Sequence, residues 1–276
     1  MWLSIIMPVY NSASTIERSI KSVIKQNRSD VELIIMDAGS TDGTLDIIER
    51  YSSDIAVIHS SPDEGYADAL NRGREYSTGE CVMMLAADDV ILDGALSKVK
   101  ESMRAETDVW SGCQVDKVEL GYIMDRSSSD LSRLNRGCSL KHPSTIFRKS
   151  VLDEIGGYNI NYKCNADWDL FLRLYEKDAN FQVEDIPVVL FDASGMSNSN
   201  FELLSKENAM IAMQHGFDDE VTKELVNIDY YKSRYEVIKK LLYKLGLLPL
   251  LYKLIGVEDA CLSRNRCQNL LGEYFE

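Results

Sequence analysis

Continuous apolar runs alternate with amphipathic segments through the first part of the chain. The apolar runs cover 3–9, 31–36, 55–58 and 81–87, and a polar turn follows each of them. An apolar run without alternation is typical of a strand buried on both faces, as in a parallel sheet. The segment 16–24 instead repeats isoleucine and valine at helical spacing. This pattern predicts an α/β fold with a central, mostly parallel sheet flanked by helices.

The same pattern divides the chain into two predicted units. A capping box, in which Ser14 precedes Glu17 by three residues, is predicted to start the first helix. From residue 201 the pattern becomes helical and remains so. We therefore expect a catalytic domain over 1–200, with halves 1–93 and 94–200, and a C-terminal helical appendage over 201–276. Further strands are predicted over 108–113, within 115–124, and over 145–147 and 187–191.

Four successive strands are each followed by a loop that carries an aspartate or an asparagine, namely Asn11, Asp37, Asp63 and Asp88. Parallel strands place their carboxyl ends at one edge of the sheet, where ligands of open α/β sheets bind. The repetition predicts a nucleotide site. The alternative is ordinary turn chemistry, with Asp88 and its neighbour Asp89 capping a helix that begins near Gly94.

The composition of the chain argues against several classes of function. The chain has 276 residues and a net charge of −14, which argues against a nucleic-acid partner. Its six cysteines include no Cys-x-x-Cys pair, so neither a zinc site nor a disulfide framework is indicated, and a reduced, cytoplasmic setting is expected. The start of the chain is interpreted as a strand and not as a signal peptide, and no apolar window reaches the length of a membrane span.

Taken together, the loop motifs resemble the family 2 glycosyltransferases of GT-A (Rossmann-like) fold. The resemblance is strongest in the N-terminal half, weakens towards the middle of the chain and fades after Ser197. The residues that carry it are Pro8-Val9-Tyr10-Asn11, Asp37 to Thr44, Asp63 to Gly73, Ala87-Asp88-Asp89, His142 to Thr145, Gly156-Gly157-Tyr158 and Asp167 to Leu170.

The resemblance assigns the first loops to the donor nucleotide. It implies that Pro8, Tyr10 and Asn11 wall the base. It further implies that Asp37 accepts a hydrogen bond from the base N–H, a charge-assisted contact, or else forms a strand-end turn.

Two more residues belong to this nucleotide assignment. Asp63 is similarly implied to contact the nucleotide. Arg72 falls where the family usually carries a lysine near the diphosphate, and an exposed helix charge is the alternative for it.

Asp88 and Asp89 occupy the position of the family's Asp-x-Asp motif, although Ala87 replaces the first acidic residue. The resemblance assigns Asp89 to Mn²⁺ or Mg²⁺, and Asp88 to the ribose or to a metal-bound water. Carboxylate oxygens suit either of these hard cations. The metal would neutralise charge on the departing diphosphate.

On the acceptor side, the resemblance identifies Asp167 as the general base of an inverting transfer. Asp169 lies about 200° further around the same predicted helix and cannot share its face. Two residues are tentative contacts with the acceptor or the phosphates. His142 could instead be a buried histidine that the backbone satisfies, and Trp168 could be a core aromatic.

The resemblance implies transfer from a nucleotide diphosphate sugar, most simply a UDP-sugar, to a saccharide or lipid-linked saccharide. Residues 230–256 carry six basic side chains and one acidic side chain among apolar positions, which is typical of a peripheral membrane helix. A helix pair packed on the protein, or a homo-oligomer contact, is the alternative. Two rival functions are a catalytically silent sugar-binding scaffold and a sugar-phosphate nucleotidyltransferase, although the latter's usual glycine-rich basic loop is missing after the first strand.

Overall fold

The structure is a computed structural model that describes residues 1–118, 121–192 and 200–225. Its first half has the predicted alternation of strands and helices. The strands are β1 (Leu3–Val9), β2 (Val31–Asp37), β3 (Val57–Ser60) and β4 (Cys81–Met84), which pair in parallel in the order β3-β2-β1-β4. The helices between them are α1 (Ile16–Ile24), α2 (Thr44–Glu49) and α3 (Tyr66–Tyr76).

Both faces of this parallel sheet are buried, as the continuous apolar runs predict. Along β1, Leu3, Ile5 and Met7 pack into the core on one face, and Ile6 packs into the core on the other. The helix α3 lies so close to β1 that a Cβ atom built on Gly73 would be 2.4 Å from Ile6 Cγ2. A side chain at that position would push the helix off the sheet.

The second half extends the sheet with strands in both directions. The strand β4 pairs antiparallel with β8 (Thr145–Arg148), and the order then continues β8-β6-β9-β5. The strands that complete it are β5 (Val90–Ile91), β6 (Val109–Val118), β7 (Gly121–Arg126) and β9 (Phe181–Phe191). The helices are α4 (Ala95–Ser102), α5 (Lys149–Glu154), α6 (Ala166–Glu176) and α7 (Phe201–Gln214).

Local details differ from the sequence-based predictions. The prediction of a capping box is wrong. The N-cap of α1 is Thr15, whose side chain makes no capping hydrogen bond. Glu17 instead accepts a 2.6 Å hydrogen bond from the Tyr51 hydroxyl. The apolar run 81–87 is a strand only as far as Met84. The chain then turns, with the Asp89 N–H donating to the Ala86 carbonyl, so the two carboxylates lie on a turn beyond the strand.

Several predictions lie wholly or partly outside the described residues. These are the turn at 194–197, the basic segment 230–256 and most of the helical appendage, of which α7 and a helical segment at 219–225 are described. The boundary between the two predicted domains therefore stays a prediction. No helix in the described part of the chain combines the length and apolarity needed to cross a bilayer.

Candidate active site

A cavity of about 430 Å³, here called the central cavity, lies between the carboxyl end of β4 and the first turn of α6. Asp88 and Asp89 line it from the β4 side, and Asp167 lines it from α6. His142 and Tyr66 contribute aromatic walls. The fold therefore brings the two predicted acidic elements together, although nearly 80 residues of sequence separate them.

A second cavity of about 370 Å³, here called the nucleoside cleft, lies at the end of β1. Pro8, Tyr10 and Asn11 line it, as the nucleotide prediction expects. It shares Tyr66 and Asp88 with the central cavity, so the two spaces adjoin. A ligand that spans both would place one end against Tyr10 and the other against the carboxylates.

Asp89 is a buried carboxylate that the protein satisfies only in part. Its side chain is 1% exposed, and Oδ1 accepts a 2.9 Å hydrogen bond from the Asp192 N–H. Its Oδ2 has no hydrogen-bond partner among the described residues. Burial raises the pKa of Asp89 well above its usual value, and the negative charges of Asp88 and Asp192 raise it further.

These features fit a divalent cation, which would give Oδ2 the partner that it lacks. The described residues contain no cluster of three or more His, Cys, Asp or Glu side chains arranged to hold a metal ion by themselves. Magnesium and manganese sites in nucleotide-dependent enzymes commonly use one or two carboxylates and complete their coordination with phosphate oxygens and water. Asp89, with Asp88 beside it, could hold such an ion.

Asp88 and Asp89 do not cap the following helix. The N-cap of α4 is Gly94, and no side chain makes a capping hydrogen bond there. The Asp88 carbonyl instead accepts a 2.6 Å hydrogen bond from Arg18, whose guanidinium also pairs with Asp192 at 2.9 Å. Arg18 thus holds the backbone of the turn that carries Asp88 and Asp89, and it does not itself line the central cavity.

Asp167 lies in the first turn of α6 with its carboxylate in the central cavity. Oδ1 accepts a 2.8 Å hydrogen bond from the Trp168 N–H, and the Cys138 thiol lies 3.8 Å from Oδ2. Burial raises the pKa of Asp167 to about 6, against the lowering effect of the Trp168 N–H. A carboxylate with this pKa is ionised at neutral pH and still accepts a proton readily, as a general base must.

The neighbours of Asp167 on α6 face elsewhere. Asp169 is completely buried and pairs with Arg173 at 2.8 Å and with His215 at 3.3 Å, so it stabilises the fold. Trp168 is 1% exposed, and its indole N–H donates to the Leu134 carbonyl at 2.8 Å. The tentative acceptor contact by Trp168 is therefore wrong, and the alternative of a core aromatic is what the structure shows.

His142 lines the central cavity but is only 4% exposed. Its Nε2 lies 2.8 Å from the Tyr158 hydroxyl, and the rings of Phe147 and Phe171 pack against it. Burial lowers the pKa of His142 to about 3, so the ring is neutral at physiological pH. This corrects the tentative phosphate contact in one respect: His142 offers no positive charge to an anion.

Asp37 does not line either cavity and is only 1% exposed. Its carboxylate accepts hydrogen bonds from the backbone N–H of Gly39 at 3.0 Å and from the hydroxyls of Ser40 and Ser60 at 2.5 and 2.6 Å. The structure thus shows the strand-end turn, and the base contact stays a prediction. Asp37 holds the loop after β2, whose Ser40 hydroxyl in turn accepts from the Asn11 N–H at 2.8 Å.

Asp63 and Arg72 also lie outside the residues that line the two cavities. Asp63 accepts a 2.8 Å hydrogen bond from the Gly65 N–H and so closes the turn before α3. Arg72 pairs with Asp68 at 2.8 Å, one helical turn away, and donates to the Pro62 carbonyl at 3.2 Å. Both residues shape the turn that precedes Tyr66, and their predicted nucleotide contacts stay predictions.

Sequence reasoning missed three contributors to the site. Tyr66 lines both cavities, and the only sequence feature that pointed to it was its place in the motif Asp63 to Gly73. Cys138 approaches Asp167 from a polar loop, and no sequence pattern singled out this cysteine. Glu207 on α7 accepts hydrogen bonds from three consecutive backbone N–H groups just before α6, those of Lys163, Cys164 and Asn165.

Comparisons with known proteins agree with this geometry. Residues 4–158 match the family model described as glycosyl transferase family 2. The chain is 30% identical over 187 residues to the PGL/p-HBAD biosynthesis glycosyltransferase of Mycobacterium tuberculosis, which covers 64% of this chain and 70% of that protein. It is 27% identical over 214 residues to the UDP-Glc:alpha-D-GlcNAc-diphosphoundecaprenol beta-1,3-glucosyltransferase WfaP of Escherichia coli, covering 75% of this chain and 85% of that one.

Among solved structures, residues 1–349 of TarS from S. aureus, in complex with UDP-GlcNAc, superimpose with a TM-score of 0.61 at 20% identity. The match covers 82% of this chain and 72% of the other, and it shows a shared GT-A fold. The predicted fold class and the resemblance seen in the loop motifs are confirmed. The chain belongs to glycosyl transferase family 2 and is a glycosyltransferase of GT-A fold.

Proposed function

We propose that the protein transfers one sugar, with inversion, from a UDP-sugar to the saccharide of a lipid-linked acceptor. The single observation that carries this proposal is the shared cavity of Asp89 and Asp167. One carboxylate lacks a partner on one oxygen, and the other has a pKa of about 6. These are the two acidic functions that a metal-assisted transfer to a hydroxyl requires.

The donor assignment rests on the nucleoside cleft. Tyr10 is 64% exposed at its mouth, and an aromatic ring held open to solvent is well suited to stack on a base. Pro8 and Asn11 form the rest of the wall. A UDP-sugar is supported by the donor named for WfaP and by the nucleotide sugar bound to TarS.

The acceptor assignment rests on WfaP, of whose length the match covers 85%. WfaP is named for a GlcNAc-diphosphoundecaprenol acceptor, which is a saccharide linked to a lipid through a diphosphate. A lipid-linked acceptor would keep the enzyme at the cytoplasmic face of a membrane. That localisation, and a peripheral membrane contact through residues 230–256, belong to this proposal.

Within the site, Asp167 would accept the proton of the acceptor hydroxyl as its oxygen attacks the anomeric carbon. Attack comes from the face opposite the departing diphosphate, so the base lies on the acceptor side and the phosphates lie on the Asp89 side. Mn²⁺ or Mg²⁺ held by Asp89 would supply charge neutralisation for that diphosphate. Tyr66 lines both the central cavity and the nucleoside cleft, at the place where the two spaces adjoin.

The test is the thermal stability of the purified protein with UDP, GDP, dTDP and CDP, each with and without Mn²⁺, followed by hydrolysis of a panel of UDP-sugars. A ligand that binds only the native state raises the apparent stability. We expect a shift with UDP that requires the metal, and donor hydrolysis above the uncatalysed rate. A shift with another nucleotide only would overturn the UDP assignment, and binding without hydrolysis would favour the silent scaffold.

A further inference from the structure

A third cavity, of about 850 Å³, adjoins the central cavity on the side away from the nucleoside cleft. All of its lining residues fall within 124–141, and we call it the basic groove. It shares Cys138 and Lys141 with the central cavity and shares no residue with the nucleoside cleft. The three spaces therefore follow one another in order, with Asp89 and Asp167 in the middle one.

The basic groove contains two arginines whose charge the described protein leaves uncompensated. Lys141 pairs with Asp125, and Arg126 pairs with Asp185 at 3.2 Å. Arg133 and Arg136 line the groove, are exposed, and form neither an ion pair nor a side-chain hydrogen bond with any described residue. In a chain whose net charge is −14, two free guanidinium groups in one concave surface favour an anionic ligand.

The chemistry of the lining narrows the ligand class. Guanidinium groups bind phosphate oxygens through paired hydrogen bonds, and the Ser139 hydroxyl, which has no partner among the described residues, adds a neutral donor to the same lining. Asp130 accepts through Oδ1 from the N–H and the hydroxyl of Ser132 and forms no ion pair with a described residue, so the unpaired groups of the groove carry two positive charges and one negative charge. This donor-rich lining suits a phosphate or diphosphate ester.

The groove lies at the acceptor end of the site. Cys138, which it shares with the central cavity, has its sulfur 3.8 Å from Asp167 Oδ2. Arg136 is two residues away along the chain, which spans at most roughly 7 Å. The groove therefore begins beside the base carboxylate, at the acceptor end of the site, whereas the donor's diphosphate belongs beside Asp88 and Asp89.

We propose that the basic groove binds the phosphate or diphosphate that joins the acceptor saccharide to its carrier, with Arg133 and Arg136 as the principal contacts. This inference rests on the proposed function and adds a second anion site to it. Anchoring the acceptor through its phosphate holds the sugar between the groove and Asp167, which lowers the entropic cost of placing its hydroxyl. It also makes the enzyme selective for acceptors that carry a phosphate over uncharged glycosides.

The test measures binding of geranyl diphosphate, a short prenyl diphosphate, by calorimetry with saturating UDP and Mn²⁺ present to fill the donor side. The variant is Arg133→Ala/Arg136→Ala. The matched control is Arg50→Ala/Arg104→Ala, which removes the same charge from two exposed arginines that line none of the three cavities. Geraniol replaces the diphosphate with a neutral hydroxyl.

We expect the wild type and the control to bind geranyl diphosphate, the groove variant to bind it at least tenfold more weakly, and geraniol to bind to none of them. Equal binding by the variant and the wild type would overturn the inference. So would a matching loss of UDP affinity in the variant, which would give the groove to the donor, or binding of phosphatidylglycerol vesicles in place of geranyl diphosphate. Failure of the proposed function is distinct, since it would appear as absent UDP-sugar hydrolysis with groove binding intact.

Discussion

The Asp89 carboxylate accepts one hydrogen bond from the backbone N–H of Asp192, at 2.9 Å, and its second oxygen is left buried without a partner in the described part of the protein. A buried polar atom in this state costs free energy that a ligand can recover. If Asp89 holds the proposed cation, the oxygen that would bind it is also the atom whose burial without a partner costs stability in the protein alone.

Replacing Asp89 with asparagine should separate these two effects. The Asp89→Asn side chain keeps an oxygen for the Asp192 N–H but loses the carboxylate that would bind a cation. We expect the free energy of unfolding without ligand to rise by about 1 kcal/mol, and the Mn²⁺-dependent part of the stabilisation by UDP to disappear. Urea unfolding and thermal shifts measure the two quantities.

The control for Asp89→Asn is Asp93→Asn, since Asp93 lies just after β5, is half exposed and pairs with Lys25 on the surface. This control should keep the wild-type response to UDP and Mn²⁺. A less stable Asp89→Asn protein that still responds to the metal would show that Asp89 is a structural residue.

Asp167 should appear directly in the pH dependence of transfer. A base with a pKa of about 6 makes kcat/KM rise with pH through about 6 and then level off. Asp167→Asn should lower turnover by roughly 10²- to 10⁴-fold and leave UDP affinity nearly unchanged. Cys138→Ala should move the midpoint of the pH profile upwards, because the thiol hydrogen bond to Asp167 lowers its pKa. Full turnover in Asp167→Asn would assign the base elsewhere.

Substitutions of Asp37 and Tyr10 should weaken nucleotide binding for different reasons, the first by destabilising a loop and the second by removing a direct contact. Asp37→Ala leaves several loop donors without their acceptor, so we expect a loss of about 2–4 kcal/mol in unfolding free energy together with weaker UDP binding. Tyr10→Ala removes an exposed ring, so stability should change by less than about 0.5 kcal/mol. Its UDP affinity should fall about tenfold through lost stacking.

The two variants are compared by chemical denaturation and by UDP titration of the same preparations. An Asp37→Ala protein with wild-type stability and no UDP affinity would support the direct contact between Asp37 and the base that the family resemblance implies.

The elements that sequence predicted well are those whose environment restricts composition. A strand buried on both faces carries mostly apolar residues, so β1, β2 and the start of β4 were visible as nearly continuous apolar runs. The acidic pair after β4 was equally visible, because adjacent carboxylates rarely follow such a run without a ligand or a cap to explain them. Asp167, at a helix start, was identified by the family resemblance and not by such a run.

Other residues could not be assigned because their type suits two environments. Asp37 serves a turn as well as a base contact, and Trp168 fills a core as well as it stacks on a sugar. Which role applies depends on which side chains approach from distant parts of the chain. Glu207 and Asp167 belong to different helices, so no local pattern could connect them.

The buried pair of His215 with Asp169 should make stability depend on pH. Hydrogen bonds to Asp169 and Glu176 raise the pKa of His215 above its usual value. A histidine with a raised folded-state pKa contributes stability fully below its unfolded pKa of about 6.5, and that contribution is lost as pH rises through the folded value. The melting temperature should therefore fall as the pH rises above about 6.5, and His215→Gln should flatten that fall. An unchanged slope in His215→Gln would place the pH dependence on other groups.

Glu207 should position Asp167 without touching a substrate. Its buried carboxylate, 3% exposed, accepts from the backbone N–H groups of Lys163 at 2.6 Å and of Cys164 and Asn165 at 2.9 Å, and so fixes the turn that leads into α6. Glu207→Gln sets an amide donor against those N–H groups, so we expect a loss of about 1–3 kcal/mol in unfolding free energy. Hydrogen exchange at these three amides should speed up, and kcat should fall while UDP affinity is retained.

The control Glu202→Gln alters an exposed carboxylate on the same helix that pairs with Lys206, and it should change none of these quantities. Slow exchange with normal kcat in Glu207→Gln would mean that the turn before α6 keeps its geometry without this carboxylate.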